Sequence, residues 1–179
     1  DLDDDNDGNP DTTDNCDTAA EDVDGIQDTD GCPDTDAAIK YVVKSASFDV
    51  DVSTSNSKNV KVGVENQGNI VSSLEVTLLI RSNVGVCEAH WVPQAGDGVV
   101  EDNIGGVLHS QLTVILPNVL PGETREINRN YGVHCFQKSL HDNAVRFEVG
   151  VAPVYPTAEE DALDNVYKQN IDITAWAVS

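Results

Sequence analysis

A chain of 179 residues has room for one domain of ordinary size plus a small appendage. Its 32 acidic residues against 10 basic ones, net −22, exclude nucleic acid as a partner, because nothing neutralises phosphate, and set the chain against anionic membranes. No apolar run approaches the roughly 18 residues that a spanning helix needs, so direct membrane insertion is not expected. The sequence contains no Met, as expected of a processed product or excised fragment whose signal peptide or anchor lay upstream.

The acids are concentrated at the start. Residues 1–36 hold fifteen Asp or Glu and no Lys or Arg, net −15, while the remaining 143 residues carry only −7. Their spacing matches the ligand rule of a calcium loop, D-x-[DN]-x-[DN]-G-x5-E. Asp3, Asp5 and Asp7 take positions 1, 3 and 5, and Gly8 supplies the turn at 6. Asn9 offers its carbonyl at 7, Asp11 falls at 9, and Asp14 takes the terminal slot where the rule has Glu. A hard cation of this size takes about 6–8 oxygens at roughly 2.3–2.6 Å. Pro10 and the Asp/Asn/Gly/Thr-rich flanks exclude helices on either side. The ligand loop is therefore expected without a helical frame.

A poorer second copy follows. Asp22, Asp24, Gly25 and Asp28 repeat the offsets, with Ile26 standing where Asn9 offers its carbonyl. Ala20 and Gly31 occupy the end slots, and Asp30, Asp34 and Asp36 are available to fill them. Two or three Ca2+ ions suit one full and one partial loop. A solvated, disordered acidic tail is the simpler alternative, but it does not account for a glycine at the same offset twice.

The segment Asp3 to Cys16, D-x-D-x-D-G-x-x-D-x-x-D-N-C, resembles a thrombospondin type 3 repeat, and the copy ending Gly31-Cys32-Pro33 resembles its bacterial version. The resemblance implies calcium-wrapped repeats with little secondary structure, pinned by disulfides. It sets residues 1–36 apart from a second unit, 37–179.

Four cysteines allow three pairings. Cys16–Cys32 and Cys87–Cys135 are favoured because each stays within one composition zone. The shorter loop contributes about 3 kcal/mol and the longer about 4 in a chain-entropy treatment. Oxidised thiols and millimolar calcium both point to an extracellular or cell-surface location. A zinc site from Cys87, His90, His134 and Cys135 is the rival, since the ligand types suit zinc. Adjacent His-Cys ligands on one strand point to opposite faces, which counts against it.

From Ile39 onward the pattern has period two. Phe48–Val52, Val60–Val64, Leu74–Ile80, Leu112–Leu116, Val145–Val151 and Ile171–Ala177 alternate, with Glu123–Tyr131 weaker. Turn signals separate them at 66–69, 95–98, 120–123 and 142–143. About seven strands and no helix predict an all-β fold, an immunoglobulin-like antiparallel β-sandwich. Trp91 and Trp176 are expected in the core. The stretch Val60 to Asn69, the turn Leu120-Pro121-Gly122-Glu123 and the approach Glu159 to Asn165 resemble the CARDB group of cell-adhesion-related domains. The resemblance implies the same sandwich, interrupted here by a long connection between Cys87 and Gly106.

No H-E-x-x-H, G-x-S-x-G, phosphate loop or C-x-x-C occurs, so no catalytic activity is expected. His90, His109, His134 and His141 read as structural. The expected function is a non-catalytic, calcium-binding structural or adhesive module, in which calcium stiffens the acidic segment or bridges subunits. Self-association, or contact with other surface proteins, follows from sandwich edges and head-to-tail docking. The alternative is a carbohydrate- or partner-binding accessory module of a secreted hydrolase. Its candidate platforms are Trp91 and Tyr131, and its candidate loop is Val92 to Gly106. There Asp97, Glu101 and Asp102 read as solvated acids.

Overall fold

In the alternating stretches every second side chain is apolar, so an extended backbone buries one face of each and leaves the other in water. The structure is a computed structural model. It describes residues 2–18, 20–21, 31–33, 35–45, 47–52, 56–68, 70–83, 85–154 and 166–176, with backbone alone at 48, 83, 139–144 and 170–176. The described residues form ten strands: β1 (Ala37–Val43), β2 (Ser47–Asp51), β3 (Asn56–Asn66), β4 (Ser72–Asn83), β5 (Cys87–Val92), β6 (Gly98–Ile104), β7 (Val107–Val119), β8 (Thr124–Cys135), β9 (Ser139–Pro153) and β10 (Val166–Trp176). The described residues form no helix, and none long and apolar enough to cross a membrane.

The strands form two sheets, β1-β3-β8-β5 and β2-β10-β9-β4-β7-β6. Every pairing is antiparallel except β2 with β10, which run parallel. The chain thus changes sheets between β1 and β2. Between the sheets lie Val60, Val62 and Val64 of β3, Leu74 to Ile80 of β4, and Val145 to Val151 of β9, each set at alternate positions and nearly inaccessible. Burying such a side chain contributes about 1.5–3 kcal/mol. Trp91 lies in the same core, 5.7 Å from the Tyr131 ring and 5.9 Å from that of Phe147. Burial pushes the Tyr131 hydroxyl up to about 12. The expectation for Trp91 therefore holds, and both candidate sugar platforms, Trp91 and Tyr131, are inside the protein. The Trp176 side chain lies outside the described residues.

Three strands are not among the expected stretches. β1 bulges between Ile39 and Tyr41, which breaks its alternation. β5 turns Cys87, Ala89 and Trp91 inward and the polar Glu88 and His90 outward, a short period-two signal that the sequence does carry. β6 is nearly all exposed, so burial imposes no pattern on it. Its hairpin with β7 is set by Gly105 and Gly106 at φ +61° and +84°, the paired positive φ of a type I′ turn. The supposed long connection Val92–Gly106 is thus a short loop followed by a strand. The 142–143 turn signal falls inside β9.

At one end of the sandwich a buried Asn66 gathers the chain. Its Nδ2 donates to the carbonyls of Ile70 (2.7 Å) and Val119 (2.9 Å), and its Oδ1 accepts the Gly68 N–H. Its own carbonyl accepts the N–H of Gly122, at φ +72° in the Leu120–Glu123 turn. The carbonyl of Asp36 accepts the N–H groups of Gln67 (2.9 Å) and Gly68 (3.3 Å). Thr35, Asp36 and Ala37 are buried there, so the exit of the acidic segment is seated on this end.

Candidate metal centre

The acidic segment folds through its own carboxylates. Asp5 Oδ1 accepts the Asp7 N–H (3.2 Å), Asp7 Oδ1 that of Asn9 (2.6 Å), and Asp14 Oδ1 that of Cys16 (2.6 Å). Each is a two-residue side-chain turn, the local alternative to helix that Asp offers. Asp3 Oδ2 accepts the Gly8 N–H (3.3 Å), and Gly8 turns the chain at φ +99°. Pro10 starts a tight turn, its carbonyl accepting N–H groups from Thr13 and Asp14. Asp3, Asp5, Asp7, Asn9, Asp11 and Asp14 are half-buried, whereas Leu2, Asp4, Asn6, Gly8 and Pro10 are exposed.

Asp3, Asp5 and Asp7 each present an oxygen within 4.8 Å of the others. Oxygens at about 2.3–2.6 Å from one ion lie no more than roughly 5 Å apart, so a single cation fits among them. Asp3 Oδ1, Asp5 Oδ2 and Asp14 Oδ2 are buried with no hydrogen-bond partner among the described residues. Burial holds the Asp5 carboxyl above the usual aspartate range against the Asp7 N–H, and the charges of Asp7, Asp14 and Asp3 add to this. The hydrogen bond from the Asn9 N–H leads the causes that hold Asp7 below that range.

Asp11 has another engagement, since its Oδ1 accepts the Asp4 N–H (2.9 Å) and closes the loop. Asp22, Asp24, Ile26, Asp28 and Asp30 lie outside the described residues. Two participants had no signal in the ligand rule. The Glu21 N–H donates to Asp7 Oδ2 (3.1 Å). Gly31, at φ +77°, lies so close to Asp14 that a Cβ there would fall 2.2 Å from Asp14 Oδ1. Cys16 is bonded to Cys32, tying the loop to the seated exit, and Cys87 to Cys135 across β5 and β8.

The second bridge removes both thiolates of the rival zinc site. His90 instead sits 2.8 Å from Glu101 Oε1, joining edge strands of the two sheets. Glu101 also accepts the Ser110 hydroxyl (2.8 Å). Burial pushes the Glu101 carboxyl up, but the bonds from His90 and Ser110 outweigh it and leave it below the usual range. Glu101 nonetheless stays exposed, as expected, whereas Asp97 is no solvated acid. Its side chain is 3% exposed and takes both 2.8 Å bonds of an Arg129 fork. Asp102 remains exposed, as expected.

No protein-family model and no curated protein matches the chain. Among solved structures it is similar to the CARDB domain of the PF1109 protein from Pyrococcus furiosus, solved in complex with di-metal ions. The identity is 18%, over 79% of this chain and 89% of that one, at a TM-score of 0.45. It is also similar to AggA, the major subunit of aggregative adherence fimbriae type I from Escherichia coli (13% identity, 80% and 97% covered, TM-score 0.42). A third is the cohesin module of a Clostridium perfringens family 33 glycoside hydrolase (11%, 80% and 99%, TM-score 0.40). Likeness at this level carries no argument about function.

Proposed function

We propose that the protein is a non-catalytic, extracellular structural or adhesion module whose acidic segment, a thrombospondin type 3-like unit at 1–36, binds Ca2+ and is rigidified by it. The remaining residues, 37–179, form a CARDB-like sandwich that carries the contact surface. The observation that supports this most is the convergence of Asp3, Asp5 and Asp7, with buried oxygens of Asp3, Asp5 and Asp14 lacking hydrogen-bond partners. An all-oxygen, carboxylate-rich set suits a hard divalent cation rather than zinc or copper. Asn9 through its carbonyl, Asp11 and Asp14 complete the proposed first loop, and Asp22, Asp24, Ile26, Asp28 and Asp30 the proposed second.

Calcium supplies the positive charge that fifteen like-charged residues lack. Without it they repel and the segment loosens. Two disulfides fit an oxidising, extracellular setting. Light scattering and small-angle scattering in millimolar calcium against chelator test this reading. The expected result is a more compact particle with calcium, as monomers or as assemblies that chelator reverses. Identical scattering in both conditions would overturn it.

A further inference from the structure

The outer face of the four-stranded sheet has a chemistry unlike the rest of the molecule. In its register, Asn59 of β3 stands opposite Asn130 of β8, Lys61 opposite Asn128, and Gly63 opposite Glu126. Tyr41 of β1 pairs with Gly63. A Cβ at 63 would fall 2.3 Å from Tyr41 Cε1, so the phenol ring lies across the glycine backbone. The Tyr41 hydroxyl donates to Glu126 Oε2 (3.1 Å), which fixes the ring in place. Tyr41 as a whole remains 40% exposed.

Beside it the Asn59 Nδ2 donates to Asn130 Oδ1 (2.9 Å) and to Asn128 Oδ1. Those two carbonyl oxygens are thereby turned toward Asn59. The Nδ2 groups of Asn128 and Asn130 have no partner among the described residues and carry four N–H donors. The charges beside the ring are paired: Lys61 sits 3.2 Å from Glu126, and Lys40 2.7 Å from Glu65, while Glu88 lies toward the β5 edge, 3.8 Å from His90. On a chain of net −22, this is a locally neutral patch.

We propose that this face binds a neutral glycan chain. A fixed, half-exposed aromatic ring gives a sugar ring a flat apolar surface, since such rings pair an apolar body with a polar tip. The adjacent amides supply oriented donors for hydroxyl oxygens, the arrangement by which a few polar groups on an apolar floor set specificity. The neutral, paired charges favour an uncharged polyhydroxyl ligand over an anionic one. The site is separate from the acidic cluster and does not rest on the calcium reading.

The test titrates the intact, oxidised protein with cellohexaose, mannohexaose and chitohexaose, and with heparin as the charged probe, by calorimetry and amide chemical-shift mapping. Binding of at least one neutral oligosaccharide is expected, with shifts centred on Tyr41, Asn59, Asn128 and Asn130. Tyr41→Ala and Asn130→Ala are each expected to weaken it about five- to tenfold with the thermal unfolding midpoint near that of the parent. Asp5→Asn is expected to leave it unchanged. Absence of binding to all neutral probes, binding to heparin alone, or shifts elsewhere on the molecule would overturn the proposal.

Discussion

At the scale of single residues, the proposed calcium loop depends on groups that bind no ion themselves. Gly31 is one, because Asp14 occupies the space its Cβ would take and its φ of +77° is one that L side chains rarely adopt. Gly31→Ala is therefore expected to displace the Asp14 carboxylate and weaken calcium binding about 10–100-fold, the range for positioning groups around metals, as read by calorimetric titration. Asp5 gives a pH signature. Its carboxyl is held above the ordinary value by burial and by the charges around it, and only the ionised form binds a cation. Calcium affinity should then decline with falling pH at values above about 3.9, where an ordinary aspartate is half-protonated. Calcium titrations at stepped pH check this, and affinity that holds flat down to about pH 4 would contradict it. Asn66 is the corresponding residue in the sandwich. Asn66→Ala leaves the Ile70 and Val119 carbonyls and the Gly68 N–H without this partner, at about 1–3 kcal/mol for each buried group left unsatisfied, measured by urea unfolding.

At the scale of elements, the edge strand β5 is sewn to the opposite sheet. The N–H of Ala89 donates to the Ser82 hydroxyl (3.1 Å) and that of Trp91 to Ser110 (3.3 Å). The Trp91 indole donates to the Ser110 carbonyl (3.0 Å), and His90 meets Glu101 alongside. The Glu101 carboxyl lies below its ordinary value. Its contribution is therefore fully present above the unfolded value, about 4.3, and is lost as pH falls through the lower folded value. Urea midpoints for the parent should drop through that window more steeply than those of Glu101→Gln. Parallel curves would show that the clasp contributes nothing. These elements also show what the sequence could reveal. β3, β4, β7 and β9 were legible because one face of each is buried, which forces alternation. β6 carries no such constraint, and its only signal was Gly105-Gly106. The parallel pairing of β2 with β10 joins segments over a hundred residues apart, which no local pattern encodes. In the acidic segment the convergence of Asp3, Asp5 and Asp7 was legible from their spacing, since side-chain turns are local. The approach of Gly31 to Asp14 and of the Glu21 N–H to Asp7 depends on the chain returning, and the ligand rule carries no trace of that.

At the scale of the molecule, the acidic segment and the sandwich are joined through one short stretch. Cys16 is bridged to Cys32, itself 5% exposed, and Thr35 to Ala37 are buried against the Asn66 end. Calcium bound by the folded segment should therefore raise the unfolding midpoint as mass action requires. Cys16→Ser with Cys32→Ser should remove most of that rise, by a thermal scan with and without calcium. An equal rise in the double variant would mean the segment folds around its ion without the staple. The central claim is that Asp3, Asp5 and Asp7 hold Ca2+, and the most direct measurement is a calorimetric calcium titration of the parent beside an Asp3→Asn, Asp5→Asn, Asp7→Asn triple variant. The account predicts saturable binding of at least one ion by the parent, and loss of that site in the variant with the sandwich still folded. Binding that is absent from the parent, or unchanged in the variant, would contradict it.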